Sequence, residues 1–246
     1  MTENRNKYII SKLKKFQIFE NFQDFEIMKI IENSRFIKYD PNVIIFNEGD
    51  SVPTNNSFFV ILKGDIQVYK SVYVENSFRS VLLNLLKDGD CFGEIAILNS
   101  VKKRTATLES LTECELIAIN KEKFYELYNN HIFLKNLVTI SHTNLCIANK
   151  VVVYAITSSK KHVYRLVYML DFLISKYGVK RDNDIYEIIL PFNSSLIADF
   201  LGSARQQYSK SKKILTEKNL IKGYGRKIII PSYSKLLQYV SEGSEE

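Results

Sequence analysis

The spacing of the apolar residues changes twice along this chain of 246 residues, and these changes limit the folds that it can adopt. Between residues 8 and 35 the apolar side chains recur at helical spacing, which predicts short packing helices. From Pro41 onwards, short β-rich runs alternate with turns that contain Gly and Asp, such as residues 47–50 and 87–90. Helical spacing returns after Lys121. This order predicts an α+β fold.

The β-rich part contains six short runs that predict strands. They are residues 43–46, 57–62, 66–69, 81–86, 105–108 and 115–119. Many short strands joined by Gly/Asp turns are typical of a β-barrel or jelly roll. The sequence therefore predicts a domain of this kind over residues 1–120, with the short helices at its start.

The helical part that follows, residues 121–157, carries two apolar stripes. The first alternates steps of four and three residues, as the a and d positions of a coiled coil do. It consists of Leu134, Val138, Ser141, Leu145, Ala148, Val152 and Ala155. The second consists of Leu137, Ile140, Asn144, Ile147 and Val151. We interpret the first stripe as the seam of a homodimer and the second as packing on the helix's own barrel. Burial of the whole helix within one subunit is the alternative.

Residues 158–246 predict a small C-terminal domain that carries most of the positive charge. A helix over residues 160–176, a polar loop over 179–184 and a strand over 186–190 are predicted first. Between Ser194 and Lys227 eight cations face only two acids, whereas the whole chain has a net charge of +7. Such a concentration indicates a surface that binds a polyanion, and a solvated basic face is the alternative.

One group of residues in the β-rich part combines a tight corner with a charged donor. Gly93 permits a sharp strand-to-helix turn whose backbone N–H groups can face an anion. Arg104 offers a forked donor that suits a phosphate, and Glu94 is an acceptor that suits a sugar hydroxyl. A structural ion pair between Glu94 and Arg104 explains the same residues, and the sequence leaves both interpretations open.

A second group of residues predicts a helix-turn-helix. Leu196, Ile197, Phe200 and Leu201 form the apolar face of a short helix that ends at Gly202. Ser203 and Gln206 have the spacing of a capping box for a second helix, which is rich in cations. The predicted hairpin over residues 220–230, with its turn at residues 223–225, follows as a wing.

Four motifs resemble the cyclic-AMP receptor protein/FNR (Crp/Fnr) family of bacterial transcription regulators. They are Phe46-x-x-Gly49-Asp50, Phe59-x-Ile61-x-x-Gly64-x-x-x-x-Tyr69, Phe92-Gly93-Glu94 followed by Arg104-Thr105-Ala106, and Ile197-Ala198-x-x-Leu201-Gly202-x-x-Arg205. The first two resemble the family's cyclic-nucleotide-binding β-barrel and the third its phosphate-binding cassette. The fourth resembles its DNA-reading element, within a winged helix-turn-helix.

The resemblance implies a homodimer that binds a palindromic operator in double-stranded DNA, acts with RNA polymerase and responds to a small effector in the barrel. The effector site that it implies consists of Gly93, Glu94, Ile95, Arg104, Thr105, Asn144, Ile147 and Ala148. The DNA-binding residues that it implies are Ser194, Ser195, Ser203, Arg205, Gln206, Ser209, Lys210, Lys213, Lys222, Arg226 and Lys227. Among these, Arg205, Gln206 and Lys210 are expected to read bases, and the wing cations are expected to contact phosphates.

The sequence departs from the family at positions that reduce the number of candidate effectors. Where cyclic-AMP-responsive members read adenine with a Thr-Ser pair, this chain has Ile147 and Ala148, so we do not expect cyclic AMP to be the effector. No cysteine precedes Cys91, and we therefore expect no iron–sulfur cluster. The three histidines are predicted on helix surfaces, so no haem is expected. The effector remains an unknown small molecule, with cyclic nucleotides among the candidates.

The sequence argues against several classes of protein. The longest uninterrupted apolar run, residues 151–156, is too short to cross a bilayer, and no signal-peptide core is present. A cytoplasmic protein without a membrane partner is therefore expected. No nucleophile–base pair or metal cluster accompanies the predicted pocket, so no enzyme activity and no metal site are expected. The alternative function is a cyclic-nucleotide-binding regulatory module that acts on a protein partner, but such a module needs no basic winged helix.

Overall fold

A computed structural model of the chain describes residues 2–74, 77–98, 102–157, 162–223 and 225–242. The chain divides into two compact units. The first consists of Met1–Lys70 with Asn84–Cys146, and the second of Ser71–Leu83 with Ile147–Glu246.

The first unit begins with helices and continues as a β-rich core. Its elements in chain order are α1 (Thr2–Leu13), a 3₁₀ turn (Gln17–Phe19), α2 (Asp24–Glu32), β1 (Ser34–Tyr39), β2 (Ile44–Phe46), β3 (Ser57–Lys63), β4 (Ile66–Val74), β5 (Ser77–Leu86), β6 (Cys91–Phe92), α3 (Glu94–Leu98), β7 (Thr107–Ser110), β8 (Cys114–Asn120), α4 (Lys121–Tyr128) and α5 (His131–Thr157). Strands β4 and β5 and helix α5 extend into the second unit.

The strands form two antiparallel sheets of four strands each, with the orders β1-β8-β3-β6 and β2-β7-β4-β5. The predicted barrel or jelly roll is therefore a pair of sheets, and the strands that the structure describes are not joined into one closed barrel. A shared apolar cluster joins the sheets, with Phe59 and Leu116 from the first and Ile66 and Leu108 from the second.

Strand β3 is buried on both faces. Successive side chains of a strand point to opposite faces, and here both sets are apolar. Phe59 and Ile61 enter the cluster between the sheets, whereas Phe58 and Val60 enter a second cluster beneath the helices. This explains why the run over residues 57–62 is apolar throughout instead of alternating.

Helix α5 packs on the second cluster through Phe133, Leu137 and Ile140, which are buried. The buried Asn136 on the same face donates through Nδ2 to the carbonyl oxygens of Ile18 (3.2 Å) and Glu20 (3.0 Å). The predicted packing of this stripe on the β-rich domain is therefore confirmed for Leu137 and Ile140, where the structure describes the side chains.

The other stripe of α5 is exposed in the single chain where its large side chains are described. Val138 is 58% exposed and Leu145 is 59% exposed, whereas Leu134 is half-buried. Ser141 and Ala148 are also exposed. The side chains of Val151, Val152 and Ala155 lie outside the described residues.

The second unit contains α6 (His162–Tyr177), β9 (Gly178–Asp182), β10 (Ile185–Ile189), α7 (Leu196–Phe200), α8 (Arg205–Glu217), β11 (Lys227–Ile230) and α9 (Tyr233–Glu242). Its three strands form one antiparallel sheet in the order β11-β10-β9. Ile188 and Ile230 cover one face of this sheet and are buried.

Three sequence-based assignments of secondary structure were wrong. The polar loop predicted over residues 179–184 is mostly strand β9, and the edge strands β1 and β6 were not predicted. Strand β1 is an edge strand whose side chains are exposed or half-buried, so its sequence lacks a clear apolar pattern. Strand β6 consists of only two residues, both buried, and is too short to show a pattern. The predicted wing hairpin is present as a single antiparallel bridge between Lys222 and Ile229, and β11 also pairs with β10.

Gly64 and Gly49 offer a test of the packing of this core. Both have positive φ angles, +105° and +84°. A Cβ at Gly64 would lie 2.5 Å from the carbonyl oxygen of Glu113, whereas a Cβ at Gly49 would meet no atom within 4 Å. Both alanine variants should lose about 1–2 kcal/mol through the left-handed backbone. Gly64→Ala should lose roughly 1–3 kcal/mol more through overpacking, as urea unfolding would measure. Equal losses for the two variants would contradict the packing described.

Candidate functional site

The first unit contains a pocket of about 240 Å³, which is lined by strand residues of both sheets and by residues 93–96 and 103–106. Its apolar wall comes from both sheets and includes Phe46, Val68, Leu86, Phe92 and Leu108. Six of the predicted effector-binding residues line it, namely Gly93, Glu94, Ile95, Arg104, Thr105 and Asn144. The structure thus brings together Gly93 and Asn144, which lie 51 positions apart in the chain. Ile147 and Ala148 belong to the second unit, and their predicted role remains a prediction.

Gly93 forms the corner between β6 and α3 and is required there for two reasons. Its φ angle is +96°, in the region that favours glycine. A Cβ at this position would lie 2.8 Å from the carbonyl oxygen of Ser57 and 3.2 Å from the ring of Phe59. The corner therefore packs directly on β3, and a side chain here would push it away from the core.

Arg104 is fixed by its backbone and by its side chain. Its N–H donates to the carbonyl oxygen of Asp50 (2.8 Å), and its own carbonyl oxygen accepts from Gly49 N–H (2.9 Å). The guanidinium stacks on Phe46, with Cζ 3.8 Å from the ring centroid, and Nη2 donates to Asn56 Oδ1 (2.8 Å). Burial lowers the pKa of Arg104, against the opposing effect of the Asp50 carboxylate. The side chain is a preorganised, partly desolvated cation.

Glu94 lies at the start of α3, and burial raises the pKa of its carboxyl group. The ion pair between Glu94 and Arg104, one of the two interpretations left open by the sequence, is absent from the contacts of the described residues. The guanidinium hydrogen-bonds the neutral Asn56 instead. The cation and the carboxylate thus both face the pocket without neutralising each other.

Sequence reasoning missed three polar residues of this site. Asn56 precedes β3 and holds Arg104, while its own Nδ2 is buried with no hydrogen-bond partner among the described residues. Asn84 on β5 lines the pocket, and its Nδ2 donates to Asn144 Oδ1 at 3.4 Å. Lys103 lines it beside Arg104. Only Lys103 carries a signal in the sequence, because it adds a second cation next to the predicted anion-binding arginine.

In the second unit, α7 and α8 form the predicted helix-turn-helix. Helix α7 ends in a Schellman motif, in which Gly202 N–H bonds to the Asp199 carbonyl and Ser203 N–H to the Ala198 carbonyl, both at 3.0 Å. Gly202 has a φ angle of +57°, which this motif requires. Arg165 on α6 donates to the carbonyl oxygen of Leu201 and so holds the same turn from outside.

The capping box predicted at Ser203 and Gln206 is wrong. Helix α8 begins at Arg205, and its N-cap residue is Ala204, which makes no side-chain cap. The reason is that Ser203 belongs to the end of α7, where its hydroxyl also lies 3.4 Å from the carbonyl oxygen of Ala198. The serine is therefore already used by the preceding helix.

Helix α8 buries one narrow face and exposes the residues that were predicted to read DNA. Tyr208, Ser211 and Leu215 are buried. Lys212 is half-buried, and the small Ser211 takes the buried position next to it. The exposed residues include Arg205, Gln206, Ser209, Lys210 and Lys213.

The remaining DNA-binding predictions fall into two groups. Ser194 and Ser195 are half-buried before α7. Burial raises the pKa of Tyr208, against the opposing effect of the Ser194 hydroxyl. Lys222, Arg226 and Lys227 are exposed on and beside β11. Lys227 Nζ lies 2.8 Å from Glu187 Oε1, so this cation already has an acidic partner within the sheet. Tyr224, at the predicted wing turn, lies outside the described residues.

The described residues do not meet the requirements of a metal site, a disulfide or a membrane-spanning helix. They contain no group of three or more His, Cys, Asp or Glu side chains placed to hold a metal ion. The cysteines are free, with Cys91 and Cys114 buried and Cys146 exposed. His131, His142 and His162 are exposed on α5 and α6. Within the same residues, no helix is long and apolar enough to span a bilayer.

Comparison with known proteins assigns the class of the first unit. Residues 36–131 match the family model described as the cyclic nucleotide-binding domain. A cGMP-dependent protein kinase, egl-4 of Caenorhabditis briggsae, is 28% identical over 123 residues, which is 50% of this chain and 16% of the kinase. The chain therefore spans only a small part of that relative, and the similarity to cyclic nucleotide-binding domains covers residues 36–131.

The similarity to transcription regulators extends further along the chain. The cAMP-activated global transcriptional regulator CRP of Escherichia coli O6:H1 is 21% identical over 199 residues, covering 78% of this chain and 88% of that protein. A solved transcriptional regulator of the CRP/FNR family from Thermus thermophilus has 17% identity and a TM-score of 0.60, covering 84% of this chain and 98% of the other. The chain thus has the fold of the Crp/Fnr regulators, and the resemblance seen in the sequence is confirmed.

Glu94 gives a prediction about stability and pH. Because burial raises its pKa, the ionised carboxylate destabilises the folded unit above that pKa, and the penalty disappears as pH falls through it. Glu94→Gln should therefore raise the melting temperature at pH 8, and the difference from wild type should shrink in acid. Glu20→Gln, at an exposed position, is the matched control and should show no such gain. A gain that is independent of pH would count against the burial argument.

Proposed function

We propose that the chain is a homodimeric, sequence-specific DNA-binding transcription regulator of the Crp/Fnr type, controlled by a small anionic effector. The observation that carries this proposal is the surface of α8, where the residues at the start of the helix are exposed and rich in cations. It is supported by a preorganised Arg104 in a separate pocket of the same chain. One site suits a polyanion and the other a small anion. The proposed role is binding and regulation, without catalysis.

The proposed DNA interface divides its contacts by type. Residues near the N-terminal end of a recognition helix reach base edges in the major groove, so Arg205, Gln206 and Lys210 are assigned to base reading. Exposed cations elsewhere are assigned to phosphates, which position the protein without reading sequence. These are Lys213, Lys222, Arg226 and Lys227, with the hydroxyls of Ser194, Ser195 and Ser209 as further donors. Ser203 can donate to a phosphate only after its hydroxyl leaves the carbonyl oxygen of Ala198.

The alternative function, a regulatory module that acts on a protein partner, has less support. The similarity to the cGMP-dependent kinase covers half of this chain, whereas the similarity to CRP covers more than three quarters. A role in kinase regulation also does not explain the exposed cations of α8. From the proposed function we further propose that the protein interacts with RNA polymerase and is located in the cytoplasm.

The proposed effector is a small anion held by Arg104, with its hydroxyl groups facing Glu94. Binding would give the desolvated guanidinium a charged partner, which the neutral Asn56 does not supply. An effector of this kind regulates DNA binding by preferring one arrangement of the DNA-binding modules, since a ligand shifts an equilibrium only through differential affinity. Cyclic nucleotides belong to this chemical class, and cyclic AMP is disfavoured by Ile147 and Ala148.

The first test of the effector site uses calorimetry with cyclic AMP, cyclic GMP and a panel of phosphorylated metabolites. For any anion that binds, Arg104→Ala should weaken binding roughly ten- to hundredfold, since hydrogen bonds to charged groups contribute about 1.5–3 kcal/mol. Lys103→Ala, at an exposed neighbour, is the control and should cost less. Cyclic AMP should bind no tighter than the millimolar range. Unchanged binding in Arg104→Ala, or micromolar cyclic AMP affinity, would contradict the assignment.

The homodimer is tested through the exposed stripe of α5. Each large apolar side chain buried at an interface contributes roughly 1.5–3 kcal/mol, and a charge there costs more. The double variant Val138→Glu/Leu145→Glu should therefore sediment as a monomer. Thr139→Glu/Thr143→Glu, which adds the same charge to exposed positions beside the stripe, should remain dimeric. Dimers in both variants would remove α5 as the interface.

Gln206 gives the sharpest test of base reading. The family has Glu at this place, and Glu accepts from cytosine N4, whereas Gln can pair with adenine N6 and N7. The operator should therefore favour A·T over C·G at this base pair by about 1–3 kcal/mol. Selection of binding sites from random DNA, with wild type and with Gln206→Glu, measures the preference directly. Identical selected bases at every position would show that Gln206 does not read DNA.

A further inference from the structure

The central strand of the C-terminal sheet carries a single acidic residue between two cations. Glu187 on β10 lies 2.9 Å from Arg181 Nε through Oε2 and 2.8 Å from Lys227 Nζ through Oε1. Arg181 belongs to β9 and Lys227 to β11, so the three residues cross the sheet from edge to edge. Each carboxylate oxygen of Glu187 therefore contacts one cation.

The exposure of these side chains is uneven. The Glu187 side chain is only 11% exposed, whereas those of Arg181 and Lys227 are 54% and 52% exposed. The two cations thus cover the carboxylate and remain open to solvent on their other side. Their hydrogen bonds also lower the pKa of Glu187, which keeps it ionised.

The other wing cations differ from Lys227. Among the described residues, neither Lys222 nor Arg226 has an ion-pair partner, and both are exposed. Arg226 is the direct neighbour of Lys227 in the chain. Two adjacent cations at the start of β11 therefore differ in their acidic partner, because Glu187 lies beside Lys227.

We propose that Glu187 restrains DNA binding by holding Lys227, together with Arg181, in an internal charge network of the sheet. The proposal rests on the DNA-binding function proposed above. A phosphate that approaches the exposed side of Lys227 competes with Glu187 for the ammonium group, so the contact gains less than one made by an unpaired cation. Arg226 and Lys222 have no such competitor, and each gains a full phosphate contact. Glu187 thereby keeps sequence-independent affinity low and leaves selectivity to α8.

The test compares the salt dependence of binding to a duplex of random sequence, measured by fluorescence anisotropy over a series of KCl concentrations. Each phosphate contact contributes about 0.9 to the slope of log affinity against log salt. In the wild-type background, Arg226→Ala should flatten the slope by about 0.9, and Lys227→Ala should flatten it by less than half as much.

The reverse change removes the restraint. Glu187→Gln should steepen the slope by up to about 0.9 and tighten binding roughly threefold or more at moderate salt. In the Glu187→Gln background, Lys227→Ala should abolish this gain, which shows that the effect passes through Lys227. Glu217→Gln is the control for removal of a carboxylate beside an exposed cation. Glu217 lies 3.7 Å from Lys213, and both side chains are exposed, so this pair restrains Lys213 little and its loss should give a smaller gain.

The outcomes separate this proposal from the function on which it rests. Equal slope changes for Lys227→Ala and Arg226→Ala in the wild-type background would overturn the restraint and leave DNA binding intact. An equal gain from Glu217→Gln and Glu187→Gln would also overturn it, since the effect would then be one of general charge. If wild type binds no duplex at any salt concentration, the proposed function itself falls. The comparison of Lys227→Ala with Arg226→Ala decides the matter even if Glu187→Gln does not fold.

Discussion

Burial of β3 on both faces is the constraint on which the first unit depends. Phe58 and Val60 support the helices, and Phe59 and Ile61 support the opposite sheet, so a single strand joins two apolar clusters. A shift of register by one residue would exchange the two sets of side chains. Gly93 packs against the same strand and directs the chain towards the pocket, so the position of the candidate effector site follows from the packing of β3.

Two residues that line the pocket, Arg104 and Glu94, and the Asn56 that bonds Arg104 have groups that are poorly satisfied by the protein alone. The Arg104 guanidinium is partly buried with a neutral partner, Glu94 carries a raised pKa, and Asn56 Nδ2 has no partner among the described residues. Each of these costs stability, because a buried polar or charged group without a full set of partners loses hydration without compensation. A core built only for stability has no reason to place three such groups together, whereas a ligand site does.

The sequence predicts the architecture better than the details, and the errors have physical causes. Strands that are buried on at least one face, such as β3 and β8, follow from their apolar runs. The edge strand β9 does not, because its backbone bonds to β10 while its side chains remain polar and exposed. The assignment of Ser203 to α8 failed because a Schellman ending and a capping box use similar residues, and only the backbone conformation at Gly202 distinguishes them. Asn56 and Asn84 became visible only once the fold brought them to Arg104 and Asn144.

The charge of the C-terminal domain shows why a count of cations is an incomplete guide to a binding surface. Counted along the sequence, Lys227 and Arg226 are equivalent, yet one has an acidic partner on the neighbouring strand and the other has none among the described residues. Glu187, which supplies that partner, lies outside the basic segment in the sequence and enters the surface only through strand pairing. An exposed cation that already has an acidic partner gains less from a phosphate than an unpaired cation does. The effective charge of this surface is therefore set by sheet topology as well as by composition.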